Sequence, residues 1–353
     1  MTRTGTEKQV DLKKRWAQFR AENPQVRIRD AAAKLGTSEA ELLATEIGET
    51  VVRLNEDFPE LLQELHTLGR IMALTRNDEI VHERKGEYKN VEIMNGHGKM
   101  GLVLGDDIDL RIFFAGWHFG FAVTSESPRG AARSFQFFDR DGTAVHKVFL
   151  TDASDLAAYE NLVGKYRRDD RSRTINVSPK PEKLADKPDA EIDVEEFRRA
   201  WAELKDTHDF FPLLKKFGVG REQALRLADR EMAFTVAADA YKYVLEKASE
   251  TKLPIMIFVG NDGIIQIHTG EIKNVTEARD WFNVMDERFN LHINQSEIAS
   301  TWIVRKPTAD GVVSSLEIFN RQGKNIALFF GKRKPGIPEK AEWRELLATI
   351  QSK

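Results

Sequence analysis

The sequence predicts an α+β fold built from two copies of one unit, each an antiparallel sheet with flanking helices. Three observations carry this reading. Distant segments repeat: "KLGTSEAELLA" (34–44) matches "KFGVGREQALR" (216–226), "NDEIVHERKGEYKNV" (77–91) matches "NDGIIQIHTGEIKNV" (261–275), and "SFQFFDRDG" (134–142) matches "SLEIFNRQG" (315–323). Each copy runs helical patterns first and strand patterns afterwards. The strand patterns follow one another through tight turns, which pairs them antiparallel, and sheets of that kind with segregated helices define the α+β class.

Taken in order, Trp16 and Trp201 each open a copy, which places a first repeat at residues 1–165, a polar linker at 166–195 and a second repeat at 196–353. "SEAELLATEIGETVVRL" (38–54) has helical apolar spacing, and Ser38 with Glu41 gives it a capping-box start. "LVLGDDIDLRIFF" (102–114) reads as strand. "RRDDRSRTINVSPKPEKLADKPDAEID" (167–193) is polar, carries three prolines and has little core of its own, as a linker does. "LPIMIFVGNDGIIQIHTG" (253–270) reads as two strands about an Asn-Asp-Gly turn, and "VVSSLEIFNRQGKNIALFFG" (312–331) as a second hairpin.

Composition narrows the function. With 353 residues, 41% hydrophobic and 31% charged at a net charge of -3, the chain has the make-up of a soluble globular protein. It carries no overall positive field to recruit nucleic acid or an anionic membrane. It has no cysteine, which excludes disulfides, thiolate metal sites and cysteine nucleophiles. "MTRTGTEKQVDLKKRW" lacks the apolar core of a signal peptide, and no apolar run approaches the roughly 18 residues of a membrane helix, so a cytoplasmic protein without membrane insertion is expected. "GHGKMG" (96–101) spells G-x-G-x-x-G, but a strand pattern follows it where dinucleotide binding needs a helix N-terminus. There is no P-loop, H-E-x-x-H pair or G-x-S-x-G elbow, and the eight histidines show no metal-ligand spacing.

Differences between the copies mark candidate functional residues. At the start of one short helix the first copy has Ser38 and Glu39, a good cap and a charge that suits the helix dipole. The second has Gly220 and Arg221, with the cation at the unfavourable end. A bound carboxylate would turn that defect into a site; a solvated arginine packing its stem on the surface is the other reading. His208 stands in "THDFFPLLKK", with Pro212 in a first helical turn and Phe210, Phe211, Leu213 and Leu214 as an apolar wall. It either bonds a backbone carbonyl or water, or serves a planar apolar cofactor whose iron needs a ligand. "VRKPT" and "GKRKPG" add Lys306 and Arg333 at strand ends and turns, where charges are usually solvated. Haem, hydrophobic and doubly carboxylated, accounts for histidine, aromatics and separated cations together.

Taken with these residues, "RIRDAAAKLGTSEAELLAT", "VEIMNGHGKMGLVL", "IDLRIFF", "SFQFFDRDG", "HDFFPLLKKF", "MIFVGNDGIIQIHTG", "VRKPTADG" and "SLEIFNRQG" occur in order across nearly the whole chain. In this the sequence resembles the hemin-degrading or hemin-transport factors of bacterial haem uptake, the HmuS/ChuS-type family. The resemblance implies paired repeats with haem held by the second half. It implies His208 as the iron's proximal ligand and Arg111, of "DLRIFF", as the donor on the opposite face, holding the sixth ligand or bound oxygen. It also implies Arg221, Lys306 and Arg333 as contacts of the propionates or polar edge, and Phe258 against the ring. Phe330 falls in the same implied pocket where members carry a tyrosine, so a hydroxyl is missing there. His82 matches a histidine that offers some members a second haem site; an exposed strand histidine is the alternative.

Two functions then stand open. The protein binds haem through one axial histidine and degrades it to release iron, as a non-canonical oxygenase that needs an external reductant. Alternatively it is a haem chaperone that collects haem at the cytoplasmic side of an importer and delivers it to a separate haem oxygenase. The lack of a reductase or flavin motif leans towards carriage.

Overall fold

The computed structural model describes residues 5–94, 99–127, 130–182, 185–334 and 336–350, so the turn in "GHGKMG" lies largely outside the described residues. The chain forms two compact units, each discontinuous in sequence. The first takes residues up to Arg76, Glu83–Pro181 and Asn261–Gln266; the second takes Asn77–His82, Glu182–Gly260 and the chain from Ile267 onward.

In the first unit lie helices α1 (Gly5–Glu22), α2 (Ile28–Leu35), α3 (Glu39–Ala44), α4 (Phe58–Glu64) and α5 (Leu156–Tyr166). Its strands β1 (Val51–Arg53), β2 (Gly69–Arg76), β7 (Phe119–Ser127), β8 (Gly130–Phe138) and β9 (Ala144–Ser154) pair antiparallel in the order β1-β7-β8-β9-β2. Strands β4 (Val91–Met94), β5 (Met100–Leu104) and β6 (Asp109–Phe113) form an antiparallel meander. Strand β3 (Ile80–Gly86) straddles the division between the units.

The second unit repeats the plan. Helices α6 (Val194–Ala202), α7 (Phe210–Phe217), α8 (Arg221–Leu227), α9 (Ala240–Thr251) and α10 (Ala341–Ala348) accompany strands β10 (Ala233–Val236), β11 (Ile255–Asn261), β16 (Ile298–Thr308), β17 (Gly311–Asn320) and β18 (Asn325–Gly331). These strands pair antiparallel as β10-β16-β17-β18-β11. The meander is β13 (Val275–Ala278), β14 (Trp281–Met285) and β15 (Phe289–Asn294), and β12 (Ile264–Gly270) straddles the division. The α+β class and the tandem duplication are therefore as the sequence predicts.

Local chemistry explains the repeated turns. In "FDRDG" the Asp139 carboxylate accepts from Asp141 N (3.2 Å) and Thr143 N (3.0 Å), and Gly142 takes φ 81°. In "FNRQG" the Asn320 side-chain oxygen accepts from Gln322 N (3.0 Å) and Lys324 N (2.9 Å), and Gly323 takes φ 69°. Asp and Asn at that position mimic a backbone turn, and glycine supplies the left-handed residue that ends it. One element differs from the sequence reading. The helix expected over 38–54 stops at Ala44, Gly48 takes φ 85°, and the β-branched Val51 and Val52 pair instead with Val123 and Ala122. Its capping box forms as expected, with Ser38 and Glu41 exchanging hydrogen bonds at 3.2 and 2.9 Å. Among the described residues no helix is long and apolar enough to cross a membrane.

In the second unit the sheet separates two cores. Directly paired residues share a face, so Ile303, Leu316, Phe329 and Ile257 project together into a core with Tyr241, Val244 and Trp343 of α9 and α10. The other face carries Val304 into the cluster of Phe197, Trp201, Phe210 and Leu214 from α6 and α7. Trp343 is fully buried, donates to Ser314 O at 3.0 Å and packs where a Cβ on Gly331 would come within 2.7 Å of it. Gly331→Ala is expected to destabilise the second unit by about 1–3 kcal/mol through this overpacking, read as a lower urea midpoint by tryptophan fluorescence.

Candidate functional site

The candidate site lies in the second unit, on the sheet face that α6 and α7 cover. In register across four strands this face presents Trp302, Glu317, Leu328 and Phe258, and in the next row Val304, Ser315, Phe330 and Met256, with Lys306 one row further along β16. Phe258 and Phe330 are half-buried and meet edge-on, with ring centroids 5.2 Å apart. The aromatics singled out from sequence thus stand on the same sheet face as Lys306.

The helices position the other candidates. Asp206 caps the turn Thr207–Asp209 that leads into α7, accepting from His208 N at 2.8 Å. The same carboxylate oxygen lies 2.6 Å from His208 Nδ1. Asp206 is held below the usual carboxylate range, first by that backbone hydrogen bond. It is therefore ionised and accepts only, so Nδ1 carries a proton and Nε2 is the ring nitrogen turned to other partners. The His208 side chain is 89% exposed. Of the expected apolar wall, Phe210, Leu213 and Leu214 are buried in the core, and Phe211 is 72% exposed. A helix can bury only one stripe, and the spacing of these residues leaves Phe211 outside it.

Arg221 opens α8 from a Gly220 cap, as the sequence indicates. The carboxylate it meets is internal: Nε and Nη2 donate to Glu317 at 2.7 and 2.8 Å. Lys306, which the turn sequence suggested was solvated, is only 3% exposed and donates to the same carboxylate at 3.0 Å. Glu317 itself is fully buried and also accepts from Ser315 Oγ at 3.0 Å. Both cations lie over the Phe210 ring, Lys306 Nζ at 4.5 Å and Arg221 Cζ at 5.2 Å from its centroid. Burial pulls the Lys306 ammonium down to about 8, against the opposing attraction of Glu317. The Glu317 carboxyl is held far below its ordinary range because the two adjacent cations outweigh the burial that raises it.

Arg333 is mostly buried; its guanidinium lies 3.7 Å from Asp310 and acts electrostatically on Asp206, which brings it to the His208 turn. Arg111 belongs to the first unit, on β6, where Asp109 and the Leu110 carbonyl hold its Nη1. His82 is not the exposed strand histidine of one reading: it is fully buried, with its ring 5.0 Å from that of Phe289. At that burial neither ring nitrogen is presented at the surface. His146 is structural too, bonded to Thr75 Oγ1 at 2.9 Å and Tyr88 OH at 2.7 Å, with burial pulling it down to about 3 so that it stays neutral.

Sequence reasoning missed Asp206 and Glu317. The first sits two residues before His208, at cap spacing. The second aligns with the neutral Gln136 of the first copy, a charge difference visible in "SFQFFDRDG" against "SLEIFNRQG".

The sequence model of the family described as "Haemin-degrading HemS.ChuX domain" matches the chain twice, over residues 36–166 and 218–350. The chain belongs to this family. It is 39% identical over 348 residues to the hemin transport protein HmuS of Yersinia pestis, covering 98% of each chain. Among solved structures it is similar to holo-PhuS, a heme-binding protein from Pseudomonas aeruginosa, with a TM-score of 0.95 and 48% identity over 98% of this chain and 99% of that one. It is also similar to ChuS, an E. coli heme oxygenase, with a TM-score of 0.86 and 33% identity over 96% of this chain and 99% of that one. The HemS.ChuX matches fall one on each copy, so each repeat seen in the sequence is one such domain.

Glu317 is the part of the site on which stability depends. Glu317→Leu leaves Lys306 buried beside Arg221 with no counter-charge and is expected to destabilise by about 3–5 kcal/mol. Adding Lys306→Met should restore most of that loss, since a buried ion pair exchanged for apolar groups is often neutral; urea titrations of the three proteins check both.

Proposed function

We propose that this protein binds haem in its second unit through His208 as the axial ligand to iron, and serves haem utilisation and iron acquisition. The observation that carries the reading is the His208–Asp206 pair, an exposed imidazole whose Nδ1 is committed to an ionised carboxylate. An outer-shell carboxylate of this kind fixes the tautomer and raises the basicity of the other nitrogen, which is what an iron ligand requires. Phe211, Phe258 and Phe330 offer apolar surface to the macrocycle, and Arg221 and Arg333 offer cations to its propionates. His82 is not assigned a haem in this reading.

The exposure of His208 favours carriage over degradation. An imidazole on an open turn can take haem up and release it without unfolding an enclosure, and lability of that bond is what transfer to a separate haem oxygenase needs. The similarity to proteins named for hemin transport and heme binding supports this, and an importer on the cytoplasmic side is the proposed donor. Degradation is the second reading, supported by the family description and by likeness to a heme oxygenase over nearly the whole chain. Bound haem would itself supply the oxygen chemistry; the chain's residues would hold it, and a partner reductase would supply electrons.

Haem titration is expected to give a one-to-one Soret complex that His208→Ala abolishes. Asp206→Asn should keep the complex but weaken it by about tenfold, the lower end for outer-shell partners. A complex equally strong in His208→Ala would refute the ligand assignment. In a second experiment, reductant is added to the complex in the presence of catalase, which removes peroxide chemistry. Persistence of the Soret band is expected for a carrier; chelatable iron appearing under these conditions would make the protein an enzyme.

A further inference from the structure

Glu317 is the charge around which Arg221 and Lys306 are arranged. Its carboxylate holds one edge of the Arg221 guanidinium through Nε and Nη2. A guanidinium carries about five N–H donors in a rigid fork, so Nη1 and one N–H of Nη2 remain for a further acceptor. The accessible cation of the cluster is Arg221, whose side chain is 26% exposed, against 4% for Lys306.

The first unit provides an internal control. Aligned on the turn glycines Gly142 and Gly323, Gln136 falls on Glu317, Lys147 on Leu328 and Ser125 on Lys306. The strand registers agree, since Gln136 faces Lys147 just as Glu317 faces Leu328. There the helix bears the acid and the sheet the base: Glu39, in the place of Arg221, pairs with Lys147, and the two charges cancel. In the second unit the helix bears the base and the sheet the acid, and Lys306 adds a second cation. The cluster keeps one net positive charge, and its exposed member is an arginine with donors to spare.

We propose that Glu317 is a positioning residue for a ligand carboxylate: it clamps the inner edge of Arg221 so that the outer edge is presented to the ligand, while Lys306 neutralises Glu317 and leaves the cluster attractive to an anion. This rests on the haem reading above, and the carboxylate concerned is a propionate of the macrocycle. Lys306 accordingly acts through Glu317 and not by contact with the ligand.

The test uses Lys306→Met/Glu317→Leu, which removes one charge of each sign and so leaves the net charge unchanged. Haem and haem dimethyl ester are titrated into wild type, the double variant and Arg221→Gln, and the ratio of the two dissociation constants is read for each. Wild type should prefer the free acid by about tenfold, the worth of one charge-assisted hydrogen bond. The double variant should fall to the ratio of Arg221→Gln, with its Soret maximum unmoved because His208 is untouched. If it kept the wild-type ratio, the positioning role would be overturned. A wild-type ratio near one would overturn the role of Arg221 and this proposal with it. Absence of any Soret complex in wild type would instead refute haem binding itself.

Discussion

A carboxylate with no access to water organises the second unit. Glu317 can stay ionised at full burial only if its oxygens are matched by donors, because an unpaired buried charge is among the largest penalties a fold can carry. Four donor groups meet it, from Arg221 on α8, Lys306 on β16 and Ser315 on β17 itself. Satisfying one residue therefore fixes the start of a helix against two strands. Phe210, beneath both cations, ties the first turn of α7 into the same cluster. The His208 turn runs directly into that helix, so the histidine's place on the surface follows from a polar contact in the core.

The two copies keep one fold while the charges it carries change. Both retain the five-stranded order, the meander, the glycine turns and a buried ion pair between the short helix and the sheet. Keeping the pair and inverting its polarity costs the packing little, since each version has a donor on one element and an acceptor on the other. The electrostatic result differs. Glu39 at the first turn of α3 agrees with the helix dipole and is cancelled by Lys147, whereas Arg221 opposes the dipole and is only partly cancelled.

Much of this was legible in the sequence because duplication doubles the signal. Repeated strand and turn patterns gave the α+β class, and Gly220-Arg221 against Ser38-Glu39 exposed the anomalous cation. The failures have physical reasons. The helix read over 38–54 overran because "GETVVRL" continues an apolar spacing that suits either period, and Gly48 with two β-branched valines decides for a strand only once β7 is there to pair with. Lys306 stands at a strand end, where charges are usually solvated, and nothing local announces its burial. Its partner Glu317 is eleven residues away across a strand pair, and such partners are set by register, not by spacing along the chain. His82 sits in an alternating strand, and only the packed Phe289 shows that its side faces inward.

The site joins two regimes of stability. One half, Arg221 and Lys306 about Glu317, is built into the core and held in place by its own hydrogen bonds, so little ordering of it is needed on binding. The other half is one imidazole, His208, on a surface turn, oriented by Asp206 and 89% exposed. A ligand held at both would be anchored through its propionates by the rigid half, and the bond to the exposed half could break and re-form without its drifting away. On the proposed haem reading, affinity and exchange are then set by different residues.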